Sequence, residues 1–187
     1  QVYAPAFTNY VEGIYVGYKY YETAAQEGAI DYDKTVQYPF GYGLSYTEFE
    51  QKMGELEEKD GQISVDVEVT NTGDVAGKDV VEVYYKPPYT NGGIEKSSAN
   101  LIEFAKTDLL QPGESQTVTV TFSIEDMASY DENNAKAYVL EKGDYVISIN
   151  SDSHTVLDQK TYTADKDVVY KGENKRTSDD TAATNVF

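Results

Sequence analysis

The chain predicts an all-β fold, an antiparallel β-sandwich, on three observations. Ile63-Ser-Val-Asp-Val-Glu-Val-Thr70 alternates apolar and polar residues without a break, as a strand with one buried face requires. Similar short runs, rich in Val, Thr and Tyr, recur along the chain at spacings of about ten residues. Between them stand turn signals: Asn71-Thr-Gly-Asp74, Pro87-Pro88, Gln111-Pro-Gly-Glu114 and Lys142-Gly143.

Taken in order, residues 1–46 carry no helical period beyond a possible turn at Thr23 to Gly28, and read as an irregular arm rich in tyrosine. A strand near Phe49 to Met53 opens the regular pattern, followed by Ile63 to Thr70 and Val80-Val-Glu-Val-Tyr-Tyr85. A long loop, Tyr89 to Ser98, carries Asn91-Gly-Gly93 and leads to an extended piece from Leu101 to Leu109. Val118-Thr-Val-Thr-Phe-Ser-Ile124 alternates again, and Glu125 to Tyr130 suits one helical turn. Ala137 to Leu140, Tyr145 to Ile149 and Val156 to Tyr162 complete eight strands between residues 47 and 164. No Cys…Trp…Cys pattern exists, so the sandwich is not of the antibody type. Tyr145 is either a tyrosine corner or an ordinary inward-facing strand residue. Residues 165–187 are charged and polar, with Val168, Val169 and Tyr170 as an apolar foothold, and read as a linker.

At 187 residues the chain is long enough to bury a core without disulfides, and it has no cysteine. That absence disfavours a disulfide-stapled secreted module and leans towards a cytoplasmic setting without fixing the compartment. A net charge of −18, from 33 acidic and 15 basic side chains, repels phosphate backbones and anionic lipid. Nucleic-acid and membrane partners are therefore not expected. No apolar run is long enough for a membrane span, and Gln1-Val-Tyr-Ala-Pro5 has no signal-peptide character. The chain opens without Met in the middle of a pattern, and is expected to be a segment of a longer protein.

Catalytic chemistry is hard to find. The single histidine, His154, and the lack of cysteine exclude His/Cys zinc sites and Cys-His catalysis, and His154 reads as a structural turn residue. No G-x-S-x-G setting exists for a serine nucleophile. Asp31/Asp33 and Asp179/Asp180 offer carboxylates to calcium but lack the spacing of a binding loop. No metal or cofactor is expected. With 33 acidic residues, the mere presence of carboxylates says nothing about glycosidic acid–base work.

The strongest local signal is Tyr38-Pro-Phe-Gly-Tyr-Gly-Leu-Ser-Tyr-Thr47. Pro39 fixes its own φ and biases Tyr38 to extended backbone, while Gly41 and Gly43 permit positive φ or close approach. Four aromatic rings give this short loop a large apolar surface, so it should dock against something. Tyr10-Val-Glu-Gly-Ile-Tyr-Val-Gly-Tyr-Lys-Tyr-Tyr-Glu-Thr23 has the same character. Together, Glu12 to Tyr18 and Pro39 to Tyr46 resemble the junction that follows the α/β sandwich domain of glycoside hydrolase family 3 enzymes, which include β-glucosidases and β-xylosidases. Val69-Thr-Asn-Thr-Gly-Asp-Val-Ala-Gly77, the Pro112-Gly-Glu114 turn and the Gly143-Asp-Tyr145 strand entry resemble the fibronectin type III-like domain of the same family. The fold implied is an immunoglobulin-like, fibronectin type III-like sandwich. Arg176-Thr-Ser-Asp179 and Ala183-Thr-Asn-Val-Phe187 resemble the connection into the barrel domain in members with reversed domain order.

The resemblance implies three parts: residues 1–46 as the C-terminal arm of an α/β sandwich domain, 47–164 as the fibronectin type III-like sandwich, and 165–187 as a linker towards a barrel. It implies that Glu12, Tyr15, Tyr18, Phe40, Gly41, Gly43 and Tyr46 serve interdomain docking. In that family the nucleophile is an aspartate on the barrel and the acid/base, usually a glutamate, lies upstream in the α/β domain. Neither motif is present here, so no residue of this chain is expected to be catalytic. The implied role is to brace the catalytic domains of a parent enzyme that hydrolyses terminal β-linked sugars, with those domains, and carbohydrate through them, as partners. A carbohydrate-binding module is the rival reading, with Tyr89 and Asn91 on the long loop as candidate contacts. An adhesin-like sandwich is a third, and it leaves both junction motifs unexplained.

Overall fold

The computed structural model describes residues 13–179. Two short helices, α1 (Tyr18–Gln26) and α2 (Tyr32–Thr35), belong to the arm. Ten strands follow: β1 (Phe49–Lys59), β2 (Gln62–Asn71), β3 (Val80–Lys86), β4 (Asn100–Lys106), β5 (Ser115–Ser123), β6 (Ser129–Asp131), β7 (Ala137–Leu140), β8 (Gly143–Asn150), β9 (Val156–Ala164) and β10 (Val168–Tyr170). A 3₁₀ turn, Ile124–Met127, links β5 to β6.

All pairings among the named strands are antiparallel. One sheet has the order β1-β2-β5 and the other β4-β3-β8-β9, with a small third sheet β10-β7-β6. The alternating run seen in the sequence is β2, and its register against β5 sets Val65 opposite Val120 and Val67 opposite Val118. These residues share one core with Val81 and Val83 of β3 and Ile147 and Ile149 of β8. Each sheet thus turns one face inward, as the period of two dictates, and the two faces bury each other.

Asn71 anchors the turn after β2. Its Oδ1 accepts from the Thr47 hydroxyl at 2.7 Å, and its Nδ2 donates to the Val75 and Leu110 carbonyls at 2.8 and 2.9 Å. A Cβ on Gly73 would collide with Thr47 Oγ1, which explains the glycine at this corner. Tyr145 proves to be inward-facing and also donates its hydroxyl to the Glu141 carbonyl at 3.0 Å, so it combines both roles offered by the sequence. Such a bond to a carbonyl a few residues upstream is the defining feature of a tyrosine corner.

Five stretches differ from the sequence reading, two of them short: α2 adds a helical turn to the arm, and Ser129–Asp131, expected in part as the end of a helical turn, is the strand β6. The arm holds a nine-residue helix, α1, where only a turn at Thr23 to Gly28 was expected. Its N-terminal boundary, Gly17, offers no side-chain cap, and its face is built of tyrosines rather than aliphatics, so neither standard helix signal is present. β1 runs on to Lys59 through a register shift between Met53 and Leu56. There a Cβ on Gly54 would meet the Asp66 carbonyl at 2.9 Å, which suits a glycine at a bulge. Finally, Val168–Tyr170 is a strand paired with Tyr138 to Leu140, so the ordered sheet structure passes residue 164.

Candidate functional site

The arm lies across the outer face of the four-stranded sheet, and Glu22 is the centre of the contact. On a helix of indifferent propensity, this carboxylate is only 7% exposed. Its Oε1 accepts from the Tyr32 hydroxyl at 2.6 Å and from the Ser153 hydroxyl at 2.8 Å. Its Oε2 lies 2.8 Å from His154 Nδ1, completing an ion pair when the imidazole is protonated. The Tyr32 and His154 rings stack with centroids 3.7 Å apart and planes 5° from parallel. Asp152 holds the receiving loop in shape, because its Oδ1 accepts from the backbone N–H groups of His154 and Thr155 at 2.9 and 2.8 Å. Burial and the hydrogen bond to Glu22 raise the Tyr32 hydroxyl well above the usual phenol range, which keeps it a donor.

A second contact is aromatic. Tyr18 stacks on Phe40 at 4.7 Å and meets Tyr84 of β3 edge-on at 6.2 Å. The Leu101 N–H donates to the Tyr18 hydroxyl at 2.9 Å, and the Ser153 N–H to the Phe40 carbonyl at 2.8 Å. Gly41, at φ +87°, passes so close to β3 that a Cβ would lie 2.7 Å from the Glu82 carboxylate. Burial raises the Glu82 carboxyl above its ordinary range, the Tyr84 hydroxyl bonded to it at 2.8 Å opposes that, and Asp152 and Asp79 add to it.

The loop of residues 87–99 closes the third side. Tyr15 donates to Glu95 at 2.5 Å, and the Ser98 N–H donates to the Thr23 hydroxyl at 3.0 Å. Lys96 is buried, with its ammonium donating to the Pro88 carbonyl at 2.5 Å and paired with Glu141. At the far end of the chain, Arg176 lies over the Tyr138 ring at 3.5 Å and forks onto both Asp179 oxygens at 2.7 and 3.1 Å. Thr177 N donates to Glu125 at 2.8 Å, which ties the last described residues to the sandwich.

Among the predicted docking residues, Tyr15, Tyr18, Phe40 and Gly41 thus meet the sandwich. Gly43 stands in open space, and Tyr46 is 98% exposed, so these two face away from it. Glu12 lies outside the described residues. Tyr89 lines a small hollow of about 110 Å³ beside Tyr15 and Lys96, and Asn91 is exposed at the loop tip. Asp31 pairs with Lys34 at 2.5 Å and Asp179 with Arg176, while Asp180 lies outside the described residues. Among the described residues, no group of three or more potential metal ligands gathers. Sequence reasoning missed Glu22, Tyr32 and Ser153 altogether, and gave His154 a turn role without its partner. The one local signal was Asp152-Ser-His-Thr155, an Asx-turn pattern that presents a histidine outward.

The arrangement is built to hold two surfaces together. Glu22 accepts three bonds, from Tyr32 within the arm and from Ser153 and His154 of the loop it rests on, so its carboxylate ties the two surfaces together.

Residues 79–153 match the family model of the "Fibronectin type III-like domain". A β-glucosidase of Kluyveromyces marxianus is 35% identical over 178 residues, covering 90% of this chain and 20% of its own length. Beta-glucosidase A of Butyrivibrio fibrisolvens is 40% identical over 182 residues, covering 87% and 21%. Among solved structures, β-glucosidase 3B of Thermotoga neapolitana in complex with α-D-glucose superimposes with a TM-score of 0.74 at 36% identity, over 87% of this chain and 21% of that one. The Kluyveromyces marxianus enzyme in complex with glucose gives 0.75 at 34% identity, over 87% and 18%. The chain spans about a fifth of the length of the curated relatives it matches. In both sequence and fold, the chain is similar to a segment of these β-glucosidases, and its residues 79–153 match the fibronectin type III-like domain.

Proposed function

We propose that this chain is the non-catalytic bracing portion of a larger glycoside hydrolase of β-glucosidase type, whose neighbouring domains act on terminal β-linked sugars. One observation carries this reading. The arm is fixed to the sandwich on one side, yet Tyr38 is 63%, Leu44 90% and Tyr46 98% exposed. Together with the exposed rings of Phe40 and Tyr42, these residues form an apolar strip that an isolated domain has no reason to keep. The occupant proposed for that strip is the remainder of the α/β domain to which the arm belongs, with residues 1–46 as its end, 47–164 as the sandwich and 165–187 leading onward. Gly43 and Tyr46 then serve the absent neighbour, Tyr15, Tyr18 and Gly41 serve the sandwich, and Phe40 serves both, its carbonyl held by Ser153 and part of its ring exposed. Carbohydrate reaches this segment only through the parent enzyme.

Two measurements test the proposal. The 187-residue chain incubated with an aryl β-glucoside should release no more phenol than a blank, and turnover would overturn the bracing role. Substituting Leu44→Ser and Tyr46→Ser together should leave the melting temperature of the isolated chain within about 2 °C. The same pair in the parent enzyme should lower both its stability and its turnover. Equal insensitivity in both contexts would remove the strip from the interface.

A further inference from the structure

A hollow of about 270 Å³ opens where the small sheet β10-β7-β6 meets residues 171–179, the segment that leaves it. Each strand gives it one half-buried tyrosine, and the register sets Tyr138 opposite both Tyr130 and Tyr170, so the three rings stand abreast. Three exposed lysines, Lys136, Lys171 and Lys175, line the same hollow. In a chain of 15 basic and 33 acidic residues, that gathering runs against the general character of the surface. Asp179 is the only acid in the lining, and Arg176 already holds both of its oxygens. Among the described residues, Lys136 and Lys171 meet no carboxylate: their ammonium groups donate to the backbone carbonyls of Glu132 and, at 2.9 Å, Ala135. Lys136 also sits at φ +51°, where side chains other than Asn and Asp are uncommon. The loop is fixed in that shape by Asp131, which accepts from the N–H groups of Asn133, Asn134 and Ala135 at 3.1, 3.0 and 2.9 Å. Two uncompensated cations are thus held beside an aromatic surface on a rigid loop.

We propose that this hollow seats an acidic surface segment of the domain to which residues 165–187 lead, and so clips that domain to the sandwich. The inference rests on the bracing role proposed above and adds a contact on its downstream side. Ammonium and phenol groups donate to carboxylates, and the ring faces take the methylene stems of Asp and Glu side chains. Burial raises the Tyr170 hydroxyl above its ordinary range, which keeps it a donor. A freely diffusing anion is the weaker occupant, because the net charge of −18 repels it on approach. A tethered segment escapes that handicap, since a short connection holds it at an effective concentration on the order of millimolar. The tether leaves from the hollow itself. Arg176 lies over the Tyr138 ring, and the Thr177 N–H donates to Glu125 at 2.8 Å, so the departing chain is held along this edge of the sandwich.

The test is zero-length cross-linking of the parent enzyme with a carbodiimide, which joins an amine directly to a carboxylate, followed by peptide mass spectrometry. Lys136 and Lys171 should be joined to Asp or Glu residues that follow residue 187. Links from these lysines only to acids within residues 1–187, or none while other lysines of the chain react, would overturn the clip. Links to acids that precede residue 1 would overturn this partner too, and would leave the bracing role standing. A pair of charge reversals supplies the second measurement. Lys136→Glu with Lys171→Glu turns attraction into repulsion, and should speed proteolysis after Tyr170 about tenfold in the parent enzyme. Both positions are exposed, so the isolated 187-residue chain should keep its melting temperature within about 2 °C. Unchanged proteolysis of the parent enzyme would overturn the clip, even where Leu44→Ser with Tyr46→Ser confirms the brace.

Discussion

The sandwich and the arm are held by different physics. The sandwich buries Val65, Val67, Val83, Val120, Ile147 and Ile149 in one apolar core, where stabilisation follows area and needs no particular angle. The arm buries almost no aliphatic side chain. It is fixed by Glu22 accepting from Ser153 and His154, by the Tyr18 hydroxyl, by the Phe40 carbonyl and by the edge-on contact of Tyr18 with Tyr84. Directional contacts of that kind hold a segment in one pose, but each contributes little net free energy because water competes for the same groups. The arm should therefore open independently of the sandwich, and this difference is what a brace between domains needs.

Substitutions in the two regions should separate this behaviour. The largest effect belongs to the core: Ile147→Ala should cost about 2–5 kcal/mol and lower the denaturant midpoint of the whole chain. Next is the dock. Glu22→Ala strands the hydroxyls of Tyr32 and Ser153, which should cost about 1–3 kcal/mol of arm docking while the sandwich transition stays in place. Glu22→Gln keeps one acceptor oxygen and should lose less, and equal loss in both variants would deny the hydrogen bonds their role. Gly41→Val comes third. The φ of +87° and the approach to Glu82 make a branched side chain doubly unfavourable, so protease sensitivity should rise within residues 36–47 and nowhere else.

The smallest effect is pH-dependent. Because the folded-state Glu82 carboxyl is raised, protonation favours the docked form, and that contribution fades as pH climbs through the raised value. Glu82→Gln should thus gain on the parent chain between pH 4 and pH 7 when denaturant midpoints are compared. A difference that shrinks over that interval would reverse the assignment.

Most of the sandwich was legible because period-two alternation marks each half-buried strand locally. It failed where the pattern was masked. The acidic run Glu55 to Lys59 hides the second half of β1, and charged neighbours hide the three residues of β10. α1 was illegible because Tyr18, Tyr20 and Tyr21 give neither a strong propensity nor a clear stripe. The aromatic blocks pointed to a packed arm, and Tyr15, Tyr18, Phe40 and Gly41 touch the sandwich, which leaves their interdomain role as proposed above. Which residue holds it was invisible. Glu22 and Ser153 stand 131 positions apart, and no local rule pairs one glutamate among so many acids with a turn that folding alone brings near.

Hydrogen exchange of backbone amides tests the central claim most directly, with the parent chain and Glu22→Ala measured side by side. In the parent chain, amides of α1 should exchange by local opening at a lower free energy than those of β2 and β8. In the variant, protection should fall across Tyr18–Gln26 while β2 and β8 keep theirs. If the helix and the sandwich strands lost protection together, or if α1 were untouched, the arm would not be a separately held brace centred on Glu22.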